Sequence, residues 1–195
     1  MSTEILKKTA LRNALGCLES KGRFPYQVFV CEWTDYFFFC SDVLFERRFV
    51  EIKNLLLEEE GASAIAVVNL GNVVSDQDHP RTIFLDRDTD ANAYIAELVG
   101  DGSPDSWMFL KDRYICASDQ GHWSIYCEKE NDIAVLAVDE TISEFARSRL
   151  VKLMDATSVR AIHKSSNSSA FNFNRLVPEW RRALALQYCS PVQSD

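Results

Sequence analysis

The stretch WMFLKDRYICASDQGHWSIYCEKENDIAVLAVD, residues 107–139, decides the fold. Residues 107–110 continue past Lys111 and Asp112 into residues 113–117 as one expected strand, which the polar turn Ser118-Asp119-Gln120-Gly121 ends. Beyond that turn, Trp123, Ile125 and Cys127 alternate with His122, Ser124, Tyr126 and Glu128, the period of two of a strand with one buried face. The run Ile133-Ala134-Val135-Leu136-Ala137-Val138 is apolar at every position and reads as a central strand covered on both faces. The two connecting turns are too short for a parallel crossover, so the three strands are expected to form an antiparallel meander.

Working outward, residues 3–19 carry a helical stripe of Ile5, Leu6, Leu11, Ala14, Leu15 and Leu18. Residues 26–31 and 36–40 are rich in strand formers and are expected to pair as a hairpin turning at residues 32–35. Ser41 or Asp42 can cap a helix running to about Glu60, and residues 64–70 follow as a buried strand, a β-α-β passage. Residues 71–81 read as an exposed loop, 82–85 as a short strand, and Asp90 as the cap of a helix ending at Gly100. After the meander, Thr141 and Glu144 have the spacing of a capping box that opens a helix over residues 141–156, and Pro178 suits the first position of a last helix. The expected fold is a single α+β domain over residues 1–195. Its sheet is mixed and mainly antiparallel, with the meander of about residues 107–138 at its centre and N- and C-terminal helices packed on it.

Composition supports folding on a single core, because 47% of the 195 residues are hydrophobic and 11% aromatic. Apolar runs fall far short of the roughly 20 residues that cross a bilayer, and the amino terminus lacks the features of a secretory signal, so no membrane role and a cytoplasmic location are expected. The six cysteines lack any short repeating spacing and read as small buried hydrophobes. The net charge of -8 is unevenly placed: residues 1–140 hold 13 Lys/Arg against 25 Asp/Glu, whereas residues 141–195 hold 8 against 4. Such an acidic surface repels nucleic acid and steers a basic protein partner.

No constellation declares a reaction. Asp42, Glu51 and Lys53 superficially match a metal-dependent nuclease, but in one helical pattern the two carboxylates lie about 13 Å apart, too far to share an ion. Cys116, His122 and Cys127 lack the short paired spacings of a zinc site. Asp86, Asp88 and Asp90 occupy positions 1, 3 and 5 of a calcium loop, but Ala91 replaces the glycine at position 6, and Glu97 at position 12 falls within a helical pattern. Nucleotide-cradling glycine motifs and the nucleophile-elbow motif are absent. The sequence therefore assigns no catalytic residue, metal or cofactor. It assigns partner binding to Asp76, Asp78, Asp86, Asp88, Asp101 and Asp105, which lie in expected loops and at helix starts where carboxylates stay solvated. The competing reading is a small hydrolase-type enzyme with a site assembled from Cys116, His122 and the carboxylates of residues 76–90.

The run from Gly121 to Glu128, leading into the run from Asp132 to Asp139, resembles strand pairs in the broad SMI1/KNR4-like group, which contains many stand-alone bacterial toxin-immunity proteins. The resemblance rests on these two runs alone, and no diagnostic residue transfers with it. It implies a binding role in the cytoplasm, commonly the blocking of a nuclease or another secreted effector whose substrate site is basic.

Overall fold

The computed structural model of the chain describes residues 2–19, 22–71, 80–158 and 177–188. Helix α1 (Thr3–Gly16) leads through an irregular segment to β1 (Asp35–Cys40), and a 3-10 turn (Ser41–Phe45) feeds α2 (Arg48–Glu59). Strands β2 (Ala64–Asn69) and β3 (Thr82–Asp86) precede α3 (Ala91–Val99), followed by β4 (Arg113–Ser118), β5 (Trp123–Glu128) and β6 (Ile133–Val138). Helix α4 starts at Ser143–Phe145, passes through a π turn (Ala146–Leu150) and ends at Val151–Leu153. The short β7 (Thr157–Ser158) and helix α5 (Pro178–Tyr188) complete the described elements.

The strands form one seven-stranded sheet in the order β3-β2-β4-β5-β6-β1-β7, antiparallel at every pairing. The α+β class and the central meander agree with the sequence reading, although among the described residues no pairing is parallel and the sheet is not mixed. Register carries the alternation across the whole sheet. Phe37, Leu136, Ile125, Cys116, Val67 and Ile83 face one another in a row on one side, and Phe38, Val135, Tyr126, Ile115 and Val68 form the next row on the other. The first side is covered by α2, α3 and α4 through Phe49, Ile52, Leu56, Tyr94, Leu98, Ile142 and Leu150. The second is covered by α1, the segment around Phe24–Phe29 and α5 through Ala10, Ala14, Phe24, Val28, Leu184 and Tyr188. Trp123 is fully buried, as a residue of the central strand must be.

Several sequence expectations are corrected. Residues 107–110 form turns, so β4 begins only at Arg113, and Trp107 is buried against Tyr114 without being part of a strand. The alternation in β5 does not mark an exposed face: Ser124, Tyr126 and Glu128 are buried beneath α1 and the segment around Phe24. Residues 26–31 do not pair with β1. Phe24 instead packs across the sheet on Phe38 and Tyr126, and the segment pairs with the residues just after α1 through an isolated Leu18–Phe29 bridge. β1 and β2 run in the same direction but have three strands between them, so the expected β-α-β passage is a long crossover. The helix begun at Ser41 is broken at residues 46–47 into the 3-10 turn and α2. Helix α4 begins at Ser143 rather than Thr141, because Asp139 Oδ1 accepts the Thr141 N–H and closes a turn there. Ser143 itself donates to Asp35 rather than capping the helix.

Candidate functional site

Of the acidic residues singled out in the sequence, Asp86, Asp88, Asp101 and Asp105 flank α3, near the β3 edge of the sheet. Asp76 and Asp78, with His79, fall outside the described residues. Asp86 ends β3 and works as a turn former: its Oδ1 accepts the Thr89 N–H at 2.9 Å, the Thr89 hydroxyl at 2.8 Å and the Asp88 N–H at 3.1 Å. The Thr89 hydroxyl bond, with the backbone donors, holds its carboxyl below the usual range. Asp90 caps α3 by accepting the Ala93 N–H at 2.8 Å, in agreement with the sequence. Asp101 accepts the Ser103 N–H at 3.0 Å, a backbone bond that lowers its pKa, and both Asp101 and Asp105 are exposed. The structure thus splits the cluster. Asp86 and Asp88 lie at one end of α3 and Asp101 and Asp105 at the other, about 13 Å apart along the helix axis.

The cations of this face are bonded mostly to neutral oxygens. Lys53 is fully buried under α2 and donates to the backbone carbonyls of Asp86 and Thr89; burial lowers its pKa. Arg87 closes the C-terminal end of α2 through the Leu57 and Ala62 carbonyls, the latter just beyond that end. Arg47 donates to the Asn92 side chain at 2.6 Å, and Arg81 donates to the Asp105 carbonyl at 2.8 Å while lying over the Trp107 ring. Arg48 pairs with Glu46 and Asp155. Six other exposed carboxylates have no such partner. Glu51 and Glu58, seven residues apart on one face of α2, together with Glu59, Asp88, Glu97 and Asp105, are exposed and form no ion pair among the described residues. The α2 and α3 glutamates were missed in the sequence, although the spacing of Glu51 and Glu58 carried the signal.

The residues suspected of catalysis are not assembled. Cys116 and Cys127 are fully buried in the core under α2 and α3, and burial raises both thiols well above their ordinary range, away from the thiolate a nucleophile needs. Cys116 faces Ile125 in the ladder, three residues and about 10 Å from His122. His122 instead meets Asp139, with Nδ1 2.7 Å from Oδ2, at the end of the sheet where Glu60 accepts the Trp123 indole N–H at 2.7 Å. Among the described residues no group of three His, Cys, Asp or Glu side chains is placed to hold a metal ion.

No protein-family model, curated protein or solved structure matches the chain. Its class is set by the fold alone, an α+β protein with an antiparallel seven-stranded sheet between helical layers. No helix among the described residues is long and apolar enough to cross a membrane.

Proposed function

We propose that this chain is a non-enzymatic binding protein that captures a basic protein partner through the acidic face of α2, α3 and the turns flanking α3. The observation that carries the reading is the asymmetry of partners on that face: buried Lys53 and exposed Arg47, Arg81 and Arg87 each donate to carbonyl or amide oxygens rather than to a carboxylate, whereas Glu51, Glu58, Glu59, Asp88, Glu97 and Asp105 are exposed and form no ion pair among the described residues. Charges left in solvent project a field that speeds encounter with an oppositely charged partner and is screened by salt. The burial of Cys116 and its separation from His122 support a binding protein over the hydrolase reading. The narrower form of the proposal is an immunity protein of the bacterial cytoplasm whose partner is a toxin domain, such as a nuclease with a basic substrate site. It rests on the resemblance of residues 121–128 and 132–139 to strand pairs of the SMI1/KNR4-like group.

The test uses carboxylates with no structural duty. Glu58, Asp88, Glu97 and Asp105 are exposed, and their side chains form no hydrogen bond or ion pair among the described residues. Asp86, Asp90 and Asp101 are excluded because they hold turns and a helix cap. With the partner recovered on the tagged protein from its source cells, the variant E58Q/D88N/E97Q/D105N is expected to associate about tenfold more slowly at low salt and with a flatter salt dependence. An association rate equal to that of the parent at low salt would overturn the acidic-face reading. A partner that arrests growth when expressed alone, and is silenced by co-expression of this chain, would support the immunity form; a harmless partner would remove it.

A further inference from the structure

On the opposite side of the sheet from the acidic helices, a cavity of about 450 Å³ opens at the end of β4 and β5. Its wall includes Arg23, Lys111, Arg113, Glu128, Asn131 and Trp180. The β4–β5 register places Arg113 directly across from Glu128, yet the two form no ion pair. The reason lies in the hydrogen bonding of Glu128, which is only 5% exposed. Its Oε1 accepts the Phe24 N–H at 2.8 Å and the Tyr126 hydroxyl at 2.9 Å, and its Oε2 accepts the Asn131 amide at 2.6 Å. Three donors satisfy the buried carboxylate without a cation contact.

The second carboxylate of the wall is also committed. Asp112 Oδ2 accepts the Asn69 side-chain amide at 3.0 Å, and Asn69 Oδ1 in turn accepts the Gly71 N–H at 2.7 Å. Gly71 lies so close that a Cβ there would fall 2.1 Å from the Asp112 carboxyl carbon, so a side chain at position 71 would displace that carboxylate. Glu130 is exposed. Cations and carboxylates on the wall are therefore equal in number, but they differ in engagement. Among the described residues Arg23, Lys111 and Arg113 have no ion-pair partner, Arg113 being bonded to the neutral Tyr126 hydroxyl, whereas Glu128 and Asp112 are held by fixed donors. Trp180, edge-on to Phe24 with ring centroids 6.4 Å apart, supplies an aromatic wall.

Pockets for neutral organic ligands are mostly apolar with a few polar groups, and this one reverses that composition. Its volume suits a small molecule rather than a peptide, and guanidinium forks with an ammonium group match the oxygens of a phosphate. We propose that this cavity is a binding site for a small phosphate-bearing molecule, with Arg23, Lys111 and Arg113 on the phosphate and Trp180 beside the rest of the ligand. The site is separate from the acidic face and independent of what that face binds.

Two probes distinguish the sources of phosphate. The full chain is titrated with pyrophosphate and with ADP, by calorimetry and by the change in tryptophan fluorescence, at low salt and without divalent ions. Both probes are expected to bind; tighter ADP identifies a nucleotide-like ligand that uses Trp180, and equal affinities identify an inorganic one. Because Arg23 and Lys111 are exposed, the variant R23Q/K111Q keeps the fold and is expected to weaken binding at least about tenfold for the loss of two charge-assisted contacts. In Arg113→Lys the charge is retained and the bidentate fork lost, so an intermediate affinity is expected. Failure of both probes to bind at millimolar concentration, or undiminished binding by R23Q/K111Q, would overturn the proposal.

Discussion

Glu60 follows the C-terminal residue of α2, at the edge of the first core. Burial raises its pKa above the ordinary carboxylate value of 4.5, only partly offset by hydrogen bonds from Ser118 and the Trp123 indole. Its Oε2 is buried with no hydrogen-bond partner. Asp119, which accepts the Ser63 and Ala64 N–H groups, and the His122–Asp139 pair are the other titratable groups at this end of the sheet. The sign of the linkage is set by the direction of the shift. Between the unfolded pKa and the higher folded one, the native state holds a proton that the unfolded chain has released, so stability falls as pH rises through that window and then levels. Glu60→Gln keeps an acceptor for the indole and removes the titration. Urea unfolding from pH 4 upward is expected to show a shallower loss of stability for the variant, with the variant at least as stable as the parent at neutral pH. A parent that gains stability over that window relative to the variant would contradict the assignment.

At the scale of elements, the second core depends on a segment with almost no regular structure. Phe24 contacts Phe38, Tyr126, Trp180 and Tyr188, while Tyr188 donates its hydroxyl to the Tyr26 carbonyl and accepts the Val28 N–H. One phenyl ring thus joins β1, β5 and α5. Phe24→Ala is expected to cost about 3–5 kcal/mol, measured by chemical denaturation, and a loss below about 1 kcal/mol would mean that the ring is not an organising contact. This contact also marks where the sequence stopped being legible. The meander was readable because an unbroken apolar run and a period of two are local signals, and α3 was readable from Asp90 and Gly100. The covering of β5 by α1 and residues 24–29 is a long-range fact: alternation reports which residues differ, not whether the polar set is buried and bonded, as Ser124 and Glu128 are. The capping-box spacing at Thr141 and Glu144 failed because Asp139 and Asp35, from other elements, took the available donors. Of the candidate site, the exposed Asp88 and Asp105 were visible in the sequence, but the bonding of Lys53 and Arg87 to backbone carbonyls depends on which carbonyls lie beside them, and no spacing encodes that.

For the molecule as a whole, the sheet divides two chemistries. One side carries helices whose outer surface is anionic, and the other carries a polar cavity whose wall mixes three cations with three carboxylates, so the two sides differ in their charge patterns. The same layering sorts the thiols. Cys31 is exposed, Cys40 is half-buried, Cys17 is buried with its pKa pushed up to about 11, and Cys116 and Cys127 lie in the two central strands. Alkylation requires thiolate and access together, so these five side chains form a graded clock for how far the native chain opens. With an excess of reagent and peptide-level mass mapping, Cys31 should be modified first and Cys40 next. Cys116 and Cys127 should wait for cooperative unfolding and share one slow rate that accelerates with denaturant. A pair of central thiols that reacted at different rates would reveal that the sheet comes apart strand by strand, and labelling would then map which layer leaves first.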